Sequence, residues 1–246
     1  MTNNHNTEAK ETMDPLEIAR FAQHADQWWQ PNGAFKTLHD INPTRLDWIC
    51  KYITPKNLKM LDIGCGGGIL SEGLARLGAH VTGLDVEAHT LQTARVHAEQ
   101  STLSIDYVCE PVESFVESYN KGLFDAITCL EMLEHVADPQ VVINSAVDLL
   151  KPGGFLFLST VNRTAKAYAT VILGAEYILS LLPRQTHSFE RFIRPSELAS
   201  GVRQVGLDVL GVTGLDYHPF TRKAVLVEDC VDVNYLLVAK KMGFVS

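Results

Sequence analysis

The chain is poor in basic residues: 21 Lys and Arg stand against 29 Asp and Glu, a net charge of -8 over 246 residues. An acidic surface repels phosphate backbones, so no nucleic acid is expected as a partner. Cysteines are few and scattered, and Cys50, Cys65, Cys109, Cys129 and Cys230 include no C-x-x-C pair. An odd set without metal or disulfide spacing suits a reducing compartment. No apolar run reaches the roughly 18 residues that a bilayer span needs. Residues 1–13 are polar, lack the apolar stretch of a secretory signal and are expected to form a flexible tail. The chain as a whole is 46% apolar and 20% charged, close to globular averages, so a sizeable core can be buried.

Periodicity divides the rest. Asp14 to Trp29 reads as a helix, with Asp14 as N-cap and Pro15 at its first position. Pro31, Asn32 and Gly33 break it, and a second helix is expected from about Pro43 to Tyr52, ahead of Pro55. From Lys59 short apolar strands alternate with helices. Strands are expected at Met60–Ile63, His80–Leu84, Ser104–Cys109, Phe124–Cys129 and, after a Lys151-Pro152-Gly153-Gly154 turn, Phe155–Thr160. Helices are expected at Ile69–Leu77, Ala88–Gln100 and Pro139–Leu150. Such alternation implies βαβ units, right-handed crossovers and a mainly parallel sheet with helices on both faces. The rhythm lapses in a helix-rich stretch, Lys166–Leu182. It resumes with a helix over Pro195–Val205 and strands near Leu207–Gly214 and Asn234–Ala239. The expectation is one α/β domain over residues 14–246 built on seven strands, with a helical cap (14–57) and an apolar helical insertion (163–194).

Between the first strand and its helix lies Gly64-Cys65-Gly66-Gly67-Gly68. Glycine permits positive φ and lets a ligand approach the backbone, and free N–H groups at a helix start favour an anion. The sixth place is Ile69, so the loop reads G-x-G-x-G and not the dinucleotide fingerprint G-x-G-x-x-G. Asp85, at the end of the next strand and 21 residues after Gly64, can accept hydrogen bonds from both hydroxyls of a ribose. A tight turn and a surface aspartate are the bland alternative. The pattern resembles the class I S-adenosylmethionine-dependent methyltransferases, as does Lys151–Gly154 ahead of the fifth strand. That resemblance implies a Rossmann-like fold, S-adenosylmethionine as cofactor, and the glycine loop (Gly64, Gly66) with Asp85 as its cradle. Leu130 falls where that family lines the adenine or methionine pocket, a position that core packing explains equally well.

After the fourth strand come Glu131, Glu134 and His135. On a helical turn they share one face. Two carboxylates and an imidazole suit a divalent cation, Mg²⁺ by the oxygens or Zn²⁺ or Mn²⁺ by the histidine. They suit equally a metal-free general base, His135, oriented by a carboxylate. Acids near the positive end of a helix dipole are the plain structural reading.

Ahead of the first strand, Trp28-Trp29 can lid an apolar substrate or merely anchor helix packing, and Arg45 can clamp a carboxylate with its planar fork. Together with Gly83-Leu84-Asp85, Glu131–Val136, Gly174–Leu179 and Val231–Tyr235, these residues are similar to the bacterial ubiquinone biosynthesis O-methyltransferases over about residues 15 to 240. This closer resemblance implies methylation of 2-polyprenyl-6-hydroxyphenol and 3-demethylubiquinol. It implies cofactor contacts at Arg45, Gly64, Asp85 and Leu130. It also sets Glu131, Glu134 and His135 on metal positions recognised in mitochondrial relatives, leaving Mg²⁺ or another divalent cation as an open partner. Asp106 and Tyr107 fit the pattern without a role.

Ala167 to Leu182 carries only Glu176 as a charge, with Arg163 and Lys166 before it and Arg184, Arg191 and Arg194 after it. Such a segment can lie among anionic headgroups or form a buried core helix. The resemblance implies a cytoplasmic protein, peripheral on the cytoplasmic face of the inner membrane, with other enzymes of the same biosynthesis as partners. The rivals are a methyltransferase of another small phenol or lipid, a nicotinamide oxidoreductase disfavoured by Ile69, and a non-catalytic cofactor-binding scaffold.

Overall fold

The computed structural model describes residues 22–119, 121–170 and 189–243. The tail at 1–13, the first half of the helix expected over 14–29 and most of the apolar helix expected over 167–182 lie outside these residues. The described strands are β1 (Lys59–Ile63), β2 (His80–Asp85), β3 (Asp106–Cys109), β4 (Phe124–Leu130), β5 (Leu150–Val161), β6 (Leu207–His218), β7 (Lys223–Val227) and β8 (Asn234–Lys241). The longer helices are α1 (Lys36–Cys50), α2 (Ile69–Arg76), α3 (Ala88–Gln100), α4 (Val112–Ser118), α5 (Pro139–Leu149) and α6 (Pro195–Gln204).

One sheet runs in the order β3-β2-β1-β4-β5-β8-β6-β7. The first five strands in that order are parallel. β8 is antiparallel to both β5 and β6, and β7 is antiparallel to β6. Strand pleating sorts the core into two layers. Leu61, Ile63, Ile127, Cys129, Leu156, Leu158 and Leu237 join the cluster that holds Phe115, Val142 and Leu198 from α4, α5 and α6. Their neighbours Met60, Ala126, Leu130, Phe157 and Leu236 join Ile41, Trp48, Leu70 and Leu74 from α1 and α2 on the other side. A sheet with both faces covered is what near-continuous apolar strands require.

Four expectations are corrected. The sheet has eight described strands rather than seven, because β6 runs on to His218 and turns back through Arg222 (φ +54°) into β7. β7 is a short, half-exposed edge strand. Helix α1 begins at Lys36, seven residues before Pro43, which sits inside it. Proline removes one helical hydrogen bond, and burial of Ile41, Trp48 and Ile49 along the helix offsets that loss. The Lys151–Gly154 turn lies within continuous β5, where Gly153 (φ +81°) and a shift of register opposite Phe124 absorb the irregularity. Lastly, the described residues before Trp29 form a 3₁₀ turn at Ala25–Gln27 and not a helix continuing to Trp29. Helix α4, which follows Pro111, was not anticipated.

Phe157 is fully buried beside Trp48, ring centroids 5.2 Å apart, whereas Phe220 at the β6–β7 turn is 83% exposed. Phe157→Ala should cost about 3–5 kcal/mol in urea unfolding. Phe220→Ala should stay within about 0.5 kcal/mol, and equal losses would contradict the layer assignment.

Candidate active site

The parallel strands β1, β2, β4 and β5 end on one edge of the sheet, and the chemistry-bearing residues collect there, as the switch-point rule for open α/β sheets demands. After β1, Gly64 and Cys65 both donate their N–H to Leu84 O, at 2.8 and 3.0 Å. Gly64, Gly66 and Gly68 take φ of +70°, +52° and +85°, a left-handed region in which a Cβ is strained. The Gly66 N–H donates to Asp85 Oδ2 (2.9 Å) and the Glu87 N–H to Asp85 Oδ1 (3.0 Å). Burial raises the Asp85 carboxyl above its ordinary range, and these N–H groups pull the other way. Asp85 is half-buried. The loop and the acid thus form one hydrogen-bonded cradle.

Beneath it lies Asp62, an acid within an apolar strand, to which the sequence reading assigned no role. Its Oδ2 accepts from Ser71 (2.7 Å) and its Oδ1 from Thr128 (2.8 Å), which ties β1 to α2 and β4. Burial pushes this carboxyl up to about 6, against the two hydroxyls and nearby Arg45.

Arg45 reaches in from α1 and is only 4% exposed. Its Nη2 stands 3.2 Å from Glu131 Oε1, while Nε finds no acceptor among the described residues. Glu131 leaves β4 with φ +55°, uncommon for a residue with a Cβ. Ser159 and Asn234 hold it there. The Glu131 N–H donates to Ser159 Oγ (2.9 Å), and the carboxylate accepts from Ser159 Oγ (2.7 Å) and Asn234 Nδ2 (3.1 Å). Ser159 was missed, although a Ser-Thr pair closing an otherwise apolar strand is a readable signal.

The helical face expected for Glu131, Glu134 and His135 does not form. The chain passes from the left-handed Glu131 into a 3₁₀ turn at Leu133–His135. Glu134 is buried and accepts from Thr160 Oγ1 (2.7 Å), and His135 is buried as well. Among the described residues no three His, Cys, Asp or Glu side chains are grouped to hold a metal ion. Glu131 faces a guanidinium, and a second cation there would be repelled. This donor set, as arranged, does not fit a metal.

Leu130 is buried in the cluster that includes Leu70 and Phe157. Met132, not singled out before, covers Gly64, where an added Cβ would fall 2.5 Å from its Cγ. The two tryptophans lie on the glycine loop: Trp29 Nε1 donates to Gly67 O (2.8 Å), and Trp28 packs on Gly66 and Gly67. Arg163 is paired with Glu197 and Lys166 with Asp232. Among the described residues no helix is long and apolar enough to cross a membrane. An open groove between α1 and α2, lined by Trp29, Pro43, Leu46, Ile69 and Leu77, is separate, since none of Arg45, Asp85 and Glu131 lines it.

Residues 46–212 match the model of a methyltransferase domain family. The ubiquinone biosynthesis O-methyltransferase of Pseudomonas aeruginosa is 50% identical over 229 residues, covering 93% of this chain and 98% of its own. That of Azoarcus sp. is 45% identical over 230 residues, covering 94% and 98%. Among solved structures, a possible histamine N-methyltransferase of Thermotoga maritima superposes with a TM-score of 0.66 at 16% identity, covering 92% of this chain and 99% of that one. The magnesium protoporphyrin IX methyltransferase of Synechocystis, solved with bound SAH, also gives 0.66, at 17% identity, covering 92% and 98%. These structural likenesses establish the class I methyltransferase fold.

A carboxyl whose pKa is higher folded than unfolded binds its proton preferentially in the folded state. Asp62 therefore takes stability away as pH rises from about 4 to about 6. Asp62→Asn, which still accepts from one hydroxyl and donates to the other, should gain stability relative to wild type across that window. The gain should be on the order of 2–3 kcal/mol, read from urea unfolding at several pH values. A difference independent of pH would contradict the assignment.

Proposed function

The chain belongs to the ubiquinone biosynthesis O-methyltransferases, and from that premise we propose that it methylates the phenolic hydroxyls of 2-polyprenyl-6-hydroxyphenol and 3-demethylubiquinol. Its residues fit S-adenosylmethionine. Arg45 offers a buried Nε–H without an acceptor to a carboxylate, the glycine loop offers its backbone, and Asp85 offers acceptors to a ribose. The unmatched Nε–H of Arg45 at the same sheet edge as that loop is the observation that carries this reading. When bound, S-adenosylmethionine supplies an electrophilic methyl group on a positively charged sulfur.

The remaining task belongs to the acceptor hydroxyl. A phenol of pKa ~10 is ionised to about one part in a thousand at pH 7, a deficit of roughly 4 kcal/mol. His135 is the proton acceptor in this reading, and Glu134, fixed by Thr160, orients it. The Glu131 side chain is held in place by Arg45, Ser159 and Asn234, and it sets the position of Arg45 at the mouth. No step runs through a metal ion. In-line positioning of hydroxyl and donor supplies most of what is left, because effective molarities in oriented sites are large.

A polyprenyl tail resides in a bilayer, which supports peripheral contact through residues 163–194 on the cytoplasmic face of the inner membrane. The apolar stretch 167–182 supports that contact more than its basic flank does, since Arg163 and Lys166 are already neutralised by Glu197 and Asp232.

Methyl transfer to a prenylated catechol, with and without chelator, tests the reading. The rate should survive the chelator, and His135→Ala should lower it about 10²–10⁴-fold with binding of S-adenosylhomocysteine retained. A rate abolished by chelator and restored by a divalent cation would overturn the metal-free base. Turnover of an unprenylated phenol in preference to the prenylated one would overturn the substrate.

A further inference from the structure

The tryptophan pair treats the glycine loop in a way that packing alone does not explain. A Cβ added at Gly67 would fall 1.2 Å from Trp28 Cδ1 and 1.9 Å from its Nε1, and one added at Gly66 would fall 2.1 Å from Cζ2. The indole therefore fills the side on which Gly66 and Gly67 carry nothing. Trp28 is 6% exposed, and its Nε1–H meets no acceptor among the described residues. A buried donor left without a partner is costly, and in a folded protein it calls for an explanation.

The ring is firmly placed. Phe35 meets it edge-on with centroids 3.5 Å apart, and His39 Nε2 lies 2.7 Å from the Trp28 carbonyl oxygen. Its neighbour Trp29 donates to Gly67 O and stacks on His97 at 3.4 Å with planes 5° apart. His97 Nδ1 in turn lies 2.6 Å from Oε1 of Glu72, which is fully buried on α2. Of two adjacent indole N–H groups on one loop, one is matched to backbone and the other points at nothing in the protein. Arg45, from the helix that follows this segment, shows the same pattern with its Nε. Unmatched buried donors at the rim of one cradle are what an absent anionic acceptor leaves behind.

We propose that Trp28 is a further binding residue for the methyl donor, its indole N–H donated to the donor's amino-acid carboxylate over Gly66–Gly67. Trp29, braced by His97 and Glu72, is the positioning residue that holds it there. The proposal rests on S-adenosylmethionine being the donor, and it replaces the idea that the pair lids the aromatic substrate.

Calorimetric titration of the full chain with S-adenosylhomocysteine and with 5′-methylthioadenosine, which lacks the amino-acid arm, tests it. Trp28→Phe keeps the aromatic body and removes the N–H. It should weaken S-adenosylhomocysteine about tenfold, the scale of one hydrogen bond to a charged group, and leave 5′-methylthioadenosine unchanged. Equal weakening of both ligands would make Trp28 a packing residue only and overturn the proposal, as would no weakening of either. Failure of the wild-type chain to bind S-adenosylhomocysteine would instead remove the donor reading itself. A second readout needs no variant. The chain has three tryptophans, and S-adenosylhomocysteine should move one indole N–H resonance of the wild type that 5′-methylthioadenosine leaves in place. Identical spectra with the two ligands would again overturn the proposal.

Discussion

A buried guanidinium must be answered by negative charge, and here Arg45 is answered by Glu131 at 3.2 Å. Taking both charges out of water is expensive, and removing one partner strands the other. The polar end of the sheet is organised around that constraint. Glu131 accepts an uncommon backbone conformation to face Arg45, Ser159 and Asn234 fix its carboxylate, and β8 is held beside β5 so that Asn234 can reach it. Glu131 satisfies only part of the arginine. Its Nε–H finds no acceptor among the described residues, so the charge is pre-positioned for a further anion.

The parallel topology turns this local arrangement into a site. Because β1, β2, β4 and β5 run the same way, their carboxyl ends deliver Asp62, the glycine loop, Asp85, Glu131 and Ser159 to one edge. Asp62 links three elements beneath the loop through two hydroxyls. Asp85 links the loop to the second strand through the Gly66 N–H. A ligand on this edge meets a hydrogen-bonded backbone, which is the preorganisation that group transfer draws on.

What was legible in the sequence was local. The glycine loop, Asp85 and helix α3, found with the bounds Ala88–Gln100, declare themselves through strand-loop-helix spacing and period. The parallel strands were placed to within a few residues, since their apolar runs sit between turn residues. Features decided by tertiary contact were not legible. Pro43 is a breaker by local rules, yet α1 continues through it because of what the helix buries. The left-handed Glu131 depends on Ser159 and Asn234, 28 and 103 residues away. That dependence is why an expected helical face of three ligands became two buried side chains and one turned back towards Arg45. The tryptophans stayed open between a substrate lid and a packing anchor, because nothing in the sequence shows that they rest on Gly66 and Gly67.

The most direct measurement is a crystal structure of the full chain with S-adenosylhomocysteine. The ligand's carboxylate should lie on Arg45, its ribose hydroxyls on Asp85 and its chain along Gly64–Gly68, with Glu131 still paired to Arg45. Density for the ligand at any other place, with Arg45 and the glycine loop unchanged and empty, would contradict the central claim.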